Sequence, residues 1–246
     1  MHTTAAKYFI AVLFASRAFG QDQDRVLRFA NTESAQSIQE IATVIRFMTE
    51  MDRMSADTAQ RSLAVRGTSS QIALAEWLFG ELDRSKDQSP VTREYRVPGG
   101  GEDLVRVFYL TNASTPVELQ EVATLVRSMS DIRRLFTYNA PRALVVRTTS
   151  GQMALAEWLI KELDKSRSPK PDTSEYRLPG GGDDIVRVFY LTHAGTPQRL
   201  QEIATQVRSM TAVRRLFTYN APKAMALRGT ADQMAQAEHL IKERDQ

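Results

Sequence analysis

The chain has 246 residues, 42% of them hydrophobic and 25% charged, with a formal net charge of +3. These proportions belong to a folded globular protein and exclude a disordered one. There is no cysteine, so a disulfide framework, a thiol nucleophile and a cysteine-based metal site are all excluded. The three histidines (His2, His193 and His239) lie far apart and show no ligand spacing, so neither a metal nor a cofactor is expected.

The chain opens MHTTAAKYFIAVLFASRAFGQ. Lys7 precedes an apolar run at 8–15, and Ala18 and Gly20 are the small residues a signal peptidase reads. A signal peptide over 1–20 is therefore expected, cut before Gln21. The run is far short of the roughly 20 residues a membrane span needs. Removal of 1–20 takes away Lys7 and Arg17 and no acid, so the formal charge falls from +3 to +1. A globally basic nucleic-acid binder is not indicated.

After the signal the sequence matches itself at a shift of 81 without a gap: VRVFYLT at 105–111 returns at 186–192, and AEWL at 156–159 returns as AEHL at 237–240. A further backward shift places AEWL at 75–78 and RVLRFANT at 25–32 under the same pattern. Three modules follow, at about 25–84, 104–165 and 185–246. Linkers at 85–103 and 166–184 carry TREYRVPGGG and TSEYRLPGGG. Proline and consecutive glycines make a turn, and the Glu-Tyr-Arg stretch is expected as a short strand pairing back in a hairpin.

Within a module the periods are legible. VRVFYL alternates as a strand, and Thr115, Pro116 and Glu118 open a helix with a capping box. Leu119, Val122, Val126 and Met129 form its apolar stripe. RRLFTYNAP and RALVVRT are two strands turning at Asn139-Ala140-Pro141, and Thr149 or Ser150 starts a second helix. The predicted fold is α+β: three tandem βαββα modules, KH-like small sandwiches with both helices on one face of a three-stranded sheet. A module of about 60 residues is marginal alone, so neighbours are expected to complete it.

Candidate chemistry is sparse. Glu76, Glu157 and Glu238 recur in the second helix, two of them four residues before Lys161 and Lys242, the spacing of a solvated ion pair. Trp77 and Trp158 read as half-buried edges of the core. The glycine runs lack a phosphate-loop pattern, and RGTSS and RGTAD read as helix caps before they read as anion sites. The order βαββα also raises a KH-like nucleic-acid binder, but a GxxG loop is missing. The nine letters RRLFTYNAP, identical at 133–141 and 214–222, pair arginines with aromatics as contact patches do. Arg133, Arg134, Phe136 and Tyr138, with Arg214, Arg215, Phe217 and Tyr219, are the candidate interface. The first copy reads DRMSADTAQ there and lacks it.

FYLTNASTPVELQEVATLV followed by a hairpin and VRTTSGQMALAEWLIKELD resembles the short N-terminal domain of secretins (NolW-like, or secretin/TonB short domain). ADTAQRSLAVRGTSSQIALAEWLFGELD at 56–83 matches that pattern in the first copy. The resemblance implies periplasmic or outer-membrane-associated modules that pack side by side beneath a secretion or pilus channel. No gate domain follows the third module, so an accessory or partial secretin is expected and not the pore. The expected function is non-enzymatic protein–protein interaction and assembly. Its partners are copies of itself or components of secretion machinery, with no nucleic acid and no membrane span after signal cleavage. The alternative is a stand-alone extracytoplasmic array binding an unrelated ligand.

Overall fold

The structure, a computed structural model, describes residues 22–85, 91–165, 173–180 and 184–246. The expected signal peptide lies outside these residues, as do parts of both expected linkers. The first unit runs β1 (Gln23–Arg28), α1 (Ala35–Thr49), β2 (Arg53–Asp57), β3 (Ser62–Gly67) and α2 (Ser69–Leu82). The second is β4 (Arg93–Arg96), β5 (Asp103–Tyr109), α3 (Pro116–Ser130), β6 (Arg134–Tyr138), β7 (Ala143–Thr149) and α4 (Ser150–Leu163). The third is β8 (Thr173–Arg177), β9 (Asp184–Tyr190), α5 (Pro197–Thr211), β10 (Arg215–Tyr219), β11 (Ala224–Thr230) and α6 (Ala231–Arg244).

The three antiparallel sheets are ordered β1-β3-β2, β4-β5-β7-β6 and β8-β9-β11-β10. The expected three-stranded sheet therefore needs correction in the second and third units, where the Glu-Tyr-Arg segment is a fourth strand. β4 pairs along β5 and β8 along β9. The turn after β4 closes with Gly100 donating to the Val97 carbonyl at 3.0 Å, while Gly99 and Gly101 take left-handed backbone that costs a residue with a Cβ about 1–2 kcal/mol.

Each first helix starts at a hydroxyl cap, Ser34, Thr115 or Thr196, and ends where Glu50, Asp131 or Ala212 turns left-handed. Glu118 does not close the expected box. Its carboxylate accepts from the backbone N–H of Ser114, one residue before the cap. Two side chains then tie each unit together. Gln71, Gln152 and Gln233, in the first turn of the second helix, reach back to the carbonyls ending the first helix, at 3.1–3.3 Å. A Cβ on Gly67 or Gly229 would meet the oxygen of that glutamine at 2.8 or 2.5 Å, so glycine leaves room for it. Asp83, Asp164 and Asp245, at the end of the second helix, accept from the backbone N–H groups that follow the first strand. Asp83 takes Ala30 and Thr32, both at 2.7 Å. Asp164 takes Thr111 at 2.7 Å and Asn112 at 2.8 Å.

Each unit's own helices pack on one face of its sheet, and in the second and third sheets the opposite face is covered as well. In the second sheet Leu104, Phe108, Leu135, Leu144 and Val146 pack on that unit's own helices. Val105, Val107, Tyr138, Ala143 and Val145 pack instead on α1 and α2 of the first unit. Val186, Val188, Tyr219, Ala224 and Ala226 of the third sheet close over the helices of the second unit in the same way. A strand apolar on both faces is what two covering layers require. The layers run sheet, helices, sheet, helices, sheet, helices.

The two ends break the pattern. The outer face of the first sheet shows solvent Asp24, Val26, Arg28, Ser55 and Asp57. In the last helix layer, Gln206 and Gln236 stand where Leu125 and Leu155 are buried, and His239 stands where Trp158 is half-buried. Met48 and Met129 are 0% exposed between layers, but the corresponding Met210 is 60% exposed. Met129→Ala should therefore cost about 2–5 kcal/mol as a cavity in packed core. Met210→Ala should change stability by about 0.5 kcal/mol or less. Denaturant unfolding of the two variants checks the pair; equal effects would contradict this layering.

Candidate interaction surfaces

The repeated nine residues sit at the two junctions between units. At the first, Phe136 stacks on Phe47 of α1 with ring centroids 4.4 Å apart. Arg134 pairs with Glu50, the left-handed residue ending α1, and Arg147 donates to the Met48 carbonyl beside it. A helix C-terminus carries partial negative charge, so two guanidinium groups there are matched to both the dipole and the carboxylate. At the hairpin, Asn139 donates its backbone N–H and side-chain amide to Glu40 at 3.0 and 3.1 Å. Tyr138 is buried and its hydroxyl meets Thr32 and Ser37. Burial pushes its ionisation above the ordinary tyrosine value.

The second junction repeats these contacts. Arg215 pairs with Asp131 at 2.8 Å and donates to the Ser128 carbonyl at 3.3 Å. Arg228 donates to the Met129 carbonyl at 2.7 Å and to Asp131 at 3.0 Å, with Asp184 on its other side at 2.8 Å. Asn220 donates its backbone N–H to Glu121 at 3.1 Å. Trp77 and Trp158 lie half-buried against Tyr95 and Tyr176 of the following sheet, at 5.3 and 5.4 Å. One contact is missing. Ser128 occupies the place of Phe47, so Phe217 lines an open groove of about 400 Å³ with Val117, Gln120 and Leu125.

Of the eight residues singled out in the sequence, Arg134, Phe136, Tyr138, Arg215, Phe217 and Tyr219 face the helices of the preceding unit. Arg133 and Arg214 are exposed. The first copy has nothing before it among the described residues; in its counterpart stretch Arg53, Ser55 and Asp57 lie on the open sheet face, while Met54 and Ala56 pack inward.

The recurring glutamates are more than surface ion pairs. Glu157 holds Lys161 at 2.8 Å as the spacing predicts, and also takes Arg106 of β5 at 2.5 Å; Arg106 in turn holds Glu94 of β4. The Lys161 and Arg106 hydrogen bonds keep Glu157 below the ordinary carboxylate range. Glu238, Arg187 and Glu175 repeat the set. Every charge in it is matched. Among the described residues no group of three or more histidines and acids could hold a metal ion. No helix among them is long and apolar enough to cross a membrane.

Sequence reasoning missed Gln71, Gln152 and Gln233 and Asp83, Asp164 and Asp245. The available signal was their strict recurrence at the 81-residue spacing, directly after a helix start and at a helix end.

No family model matches this sequence, and no characterised protein matches it by sequence. Solved structures similar to it include Aeromonas hydrophila ExeD (13% identity, TM-score 0.22, 92% of this chain and 41% of that one). The N-terminal domain of the secretin XcpQ from Pseudomonas aeruginosa is another (13%, TM-score 0.25, 58% and 62%). Dim2p from Pyrococcus horikoshii is a third (14%, TM-score 0.32, 58% and 92%). The chain spans about two fifths of the length of ExeD. Likeness at these scores carries no statement about what the chain binds.

The Asp131 clamp gives a pH test. The Arg215 hydrogen bond, helped by the charges of Arg215 and Arg228, holds the Asp131 carboxyl below its ordinary range. A carboxyl lowered in the folded state stabilises fully above its unfolded value of about 3.9, and that contribution disappears as pH falls through the lower folded value. Wild type should therefore melt above Asp131→Asn at pH 7, and the two should converge as the pH falls below the ordinary aspartate range and through the lowered folded value. A gap that persists unchanged in acid would show that the carboxylate does not act through its charge.

Proposed function

We propose that the chain is an exported, non-enzymatic assembly protein built from three secretin-type N-terminal modules and working beside protein-secretion or pilus machinery. The observation that carries the reading is the junction itself. The back face of one sheet docks on the helix pair of another unit by a shared set of apolar, arginine and asparagine contacts, made twice in this chain. A module that recognises its neighbour through a sheet face and a helix layer is a protein-docking device. The sequence resemblance to secretin short domains extends over each copy and supports placing that device at a secretion channel. The pattern 8–20 supports export, with the mature chain starting near Gln21.

Partners on this reading are proteins: other copies or channel components in the periplasm or at the outer membrane. On this reading nucleic acid is not among them.

The test is fractionation of the native host followed by cross-linking and mass spectrometry. The expected result is a chain starting near Gln21 in the envelope fraction, cross-linked to an outer-membrane channel protein. Intact Met1 in the cytoplasm, or recovery with RNA that weakens steeply with salt, would overturn the reading.

A further inference from the structure

Two of the three sheets have their first edge covered by a strand with one electrostatic key. In β4, Glu94 lies opposite Arg106 of β5; in β8, Glu175 lies opposite Arg187 of β9. Each arginine shares its guanidinium between that strand carboxylate and one from the second helix of its own unit, Glu157 or Glu238. In the first unit the corresponding edge is β1, and the corresponding arginine is Arg25. Arg25 has its helix carboxylate, Glu76, at 3.4 Å. Among the described residues, no strand lies on the outer edge of β1 and no strand carboxylate reaches Arg25. The Arg25 side chain is accordingly 52% exposed, against 19% for Arg106.

We infer that the outer edge of β1 (Gln23–Arg28) receives an extended segment of a partner protein, antiparallel, with a glutamate opposite Arg25. An open edge offers a row of backbone donors and acceptors, and strand addition satisfies them while side chains at alternate positions select the partner. Here the selection is legible from the chain's own covered edges. The segment carries a glutamate opposite Arg25, as Glu94 and Glu175 stand opposite Arg106 and Arg187, and that carboxylate completes a network left half-built at Arg25. Asp24 and Arg28 point to the other face and discourage uncharged strands. The chain's own two segments of this pattern are already paired in their sheets, so the occupant is supplied by another protein.

The test uses the chain starting at Gln21, so its outcome does not depend on signal cleavage or on the secretin reading. The probe is a labelled peptide with the sequence of residues 91–98, VTREYRVP. Saturable binding is expected in a fluorescence-anisotropy titration, with slowed hydrogen exchange confined to the amides of Gln23–Arg28. Arg25→Ala, or glutamine for glutamate in the peptide, should weaken binding about tenfold, the size of a lost charge-assisted hydrogen bond. Arg25→Glu should be rescued by a peptide carrying arginine in place of its glutamate. No saturable binding, protection at another strand, or indifference to both changes would overturn the proposal.

Discussion

The helix pair of each unit is sealed by the back face of the next sheet, and most of what distinguishes the three copies follows from that burial. A large aliphatic or aromatic side chain moved from water into such a layer contributes roughly 1.5–3 kcal/mol. Val105, Val107, Val145 and Tyr138 at one junction, and Val186, Val188 and Tyr219 at the other, are all buried. Units of this size are marginal alone, and the junctions add a second core on the far side of each interior sheet. The polar contacts fix the geometry of that burial. Arginines seize the end of the first helix, and an asparagine hairpin seizes the glutamate near its start, so the next sheet is held at both ends of the helix it covers.

The copies diverge where the layers end. Leu125 against Gln206 and Trp158 against His239 look in the sequence like drift between duplicates. In the structure they lie on the third unit's helix layer, which no sheet among the described residues covers and which is more polar there. Ala212 stands where Glu50 and Asp131 receive arginines, and Thr58 stands where Asn139 and Asn220 make their bonds. Each end of the chain thus lacks half of the junction chemistry.

The element order and both helix stripes were legible because hydrophobic periods of two and 3.6 survive in single copies. The cap at Thr115 was legible too, since capping needs only neighbours in sequence, whereas Thr149 stands at the start of α4 without a side-chain cap hydrogen bond. Glu118 bonding to Ser114 was not, because a one-residue shift of a flexible carboxylate leaves no trace in the pattern. The doubly covered sheets were half legible. VRVFYL is apolar at both alternations whereas DRVLRF is not, and that difference separates an interior sheet from an outer one. Asp83 and its counterparts stayed hidden because an aspartate after a helix looks like an ordinary exposed residue. Only the fold brings Thr32 within 2.7 Å of it. The same holds for the interface candidates: spacing put Phe136 and Tyr138 on one face, but only the stacking order shows that α1 covers them.

The central claim is that neighbouring units share their cores. Scanning calorimetry of the chain from Gln21 to Gln246 tests it most directly. Shared cores predict one unfolding transition, with the calorimetric enthalpy matching the van't Hoff enthalpy as in a single cooperative domain. Three separable transitions, each with its own matching enthalpy, would show that the units fold independently and that the junctions are incidental contacts.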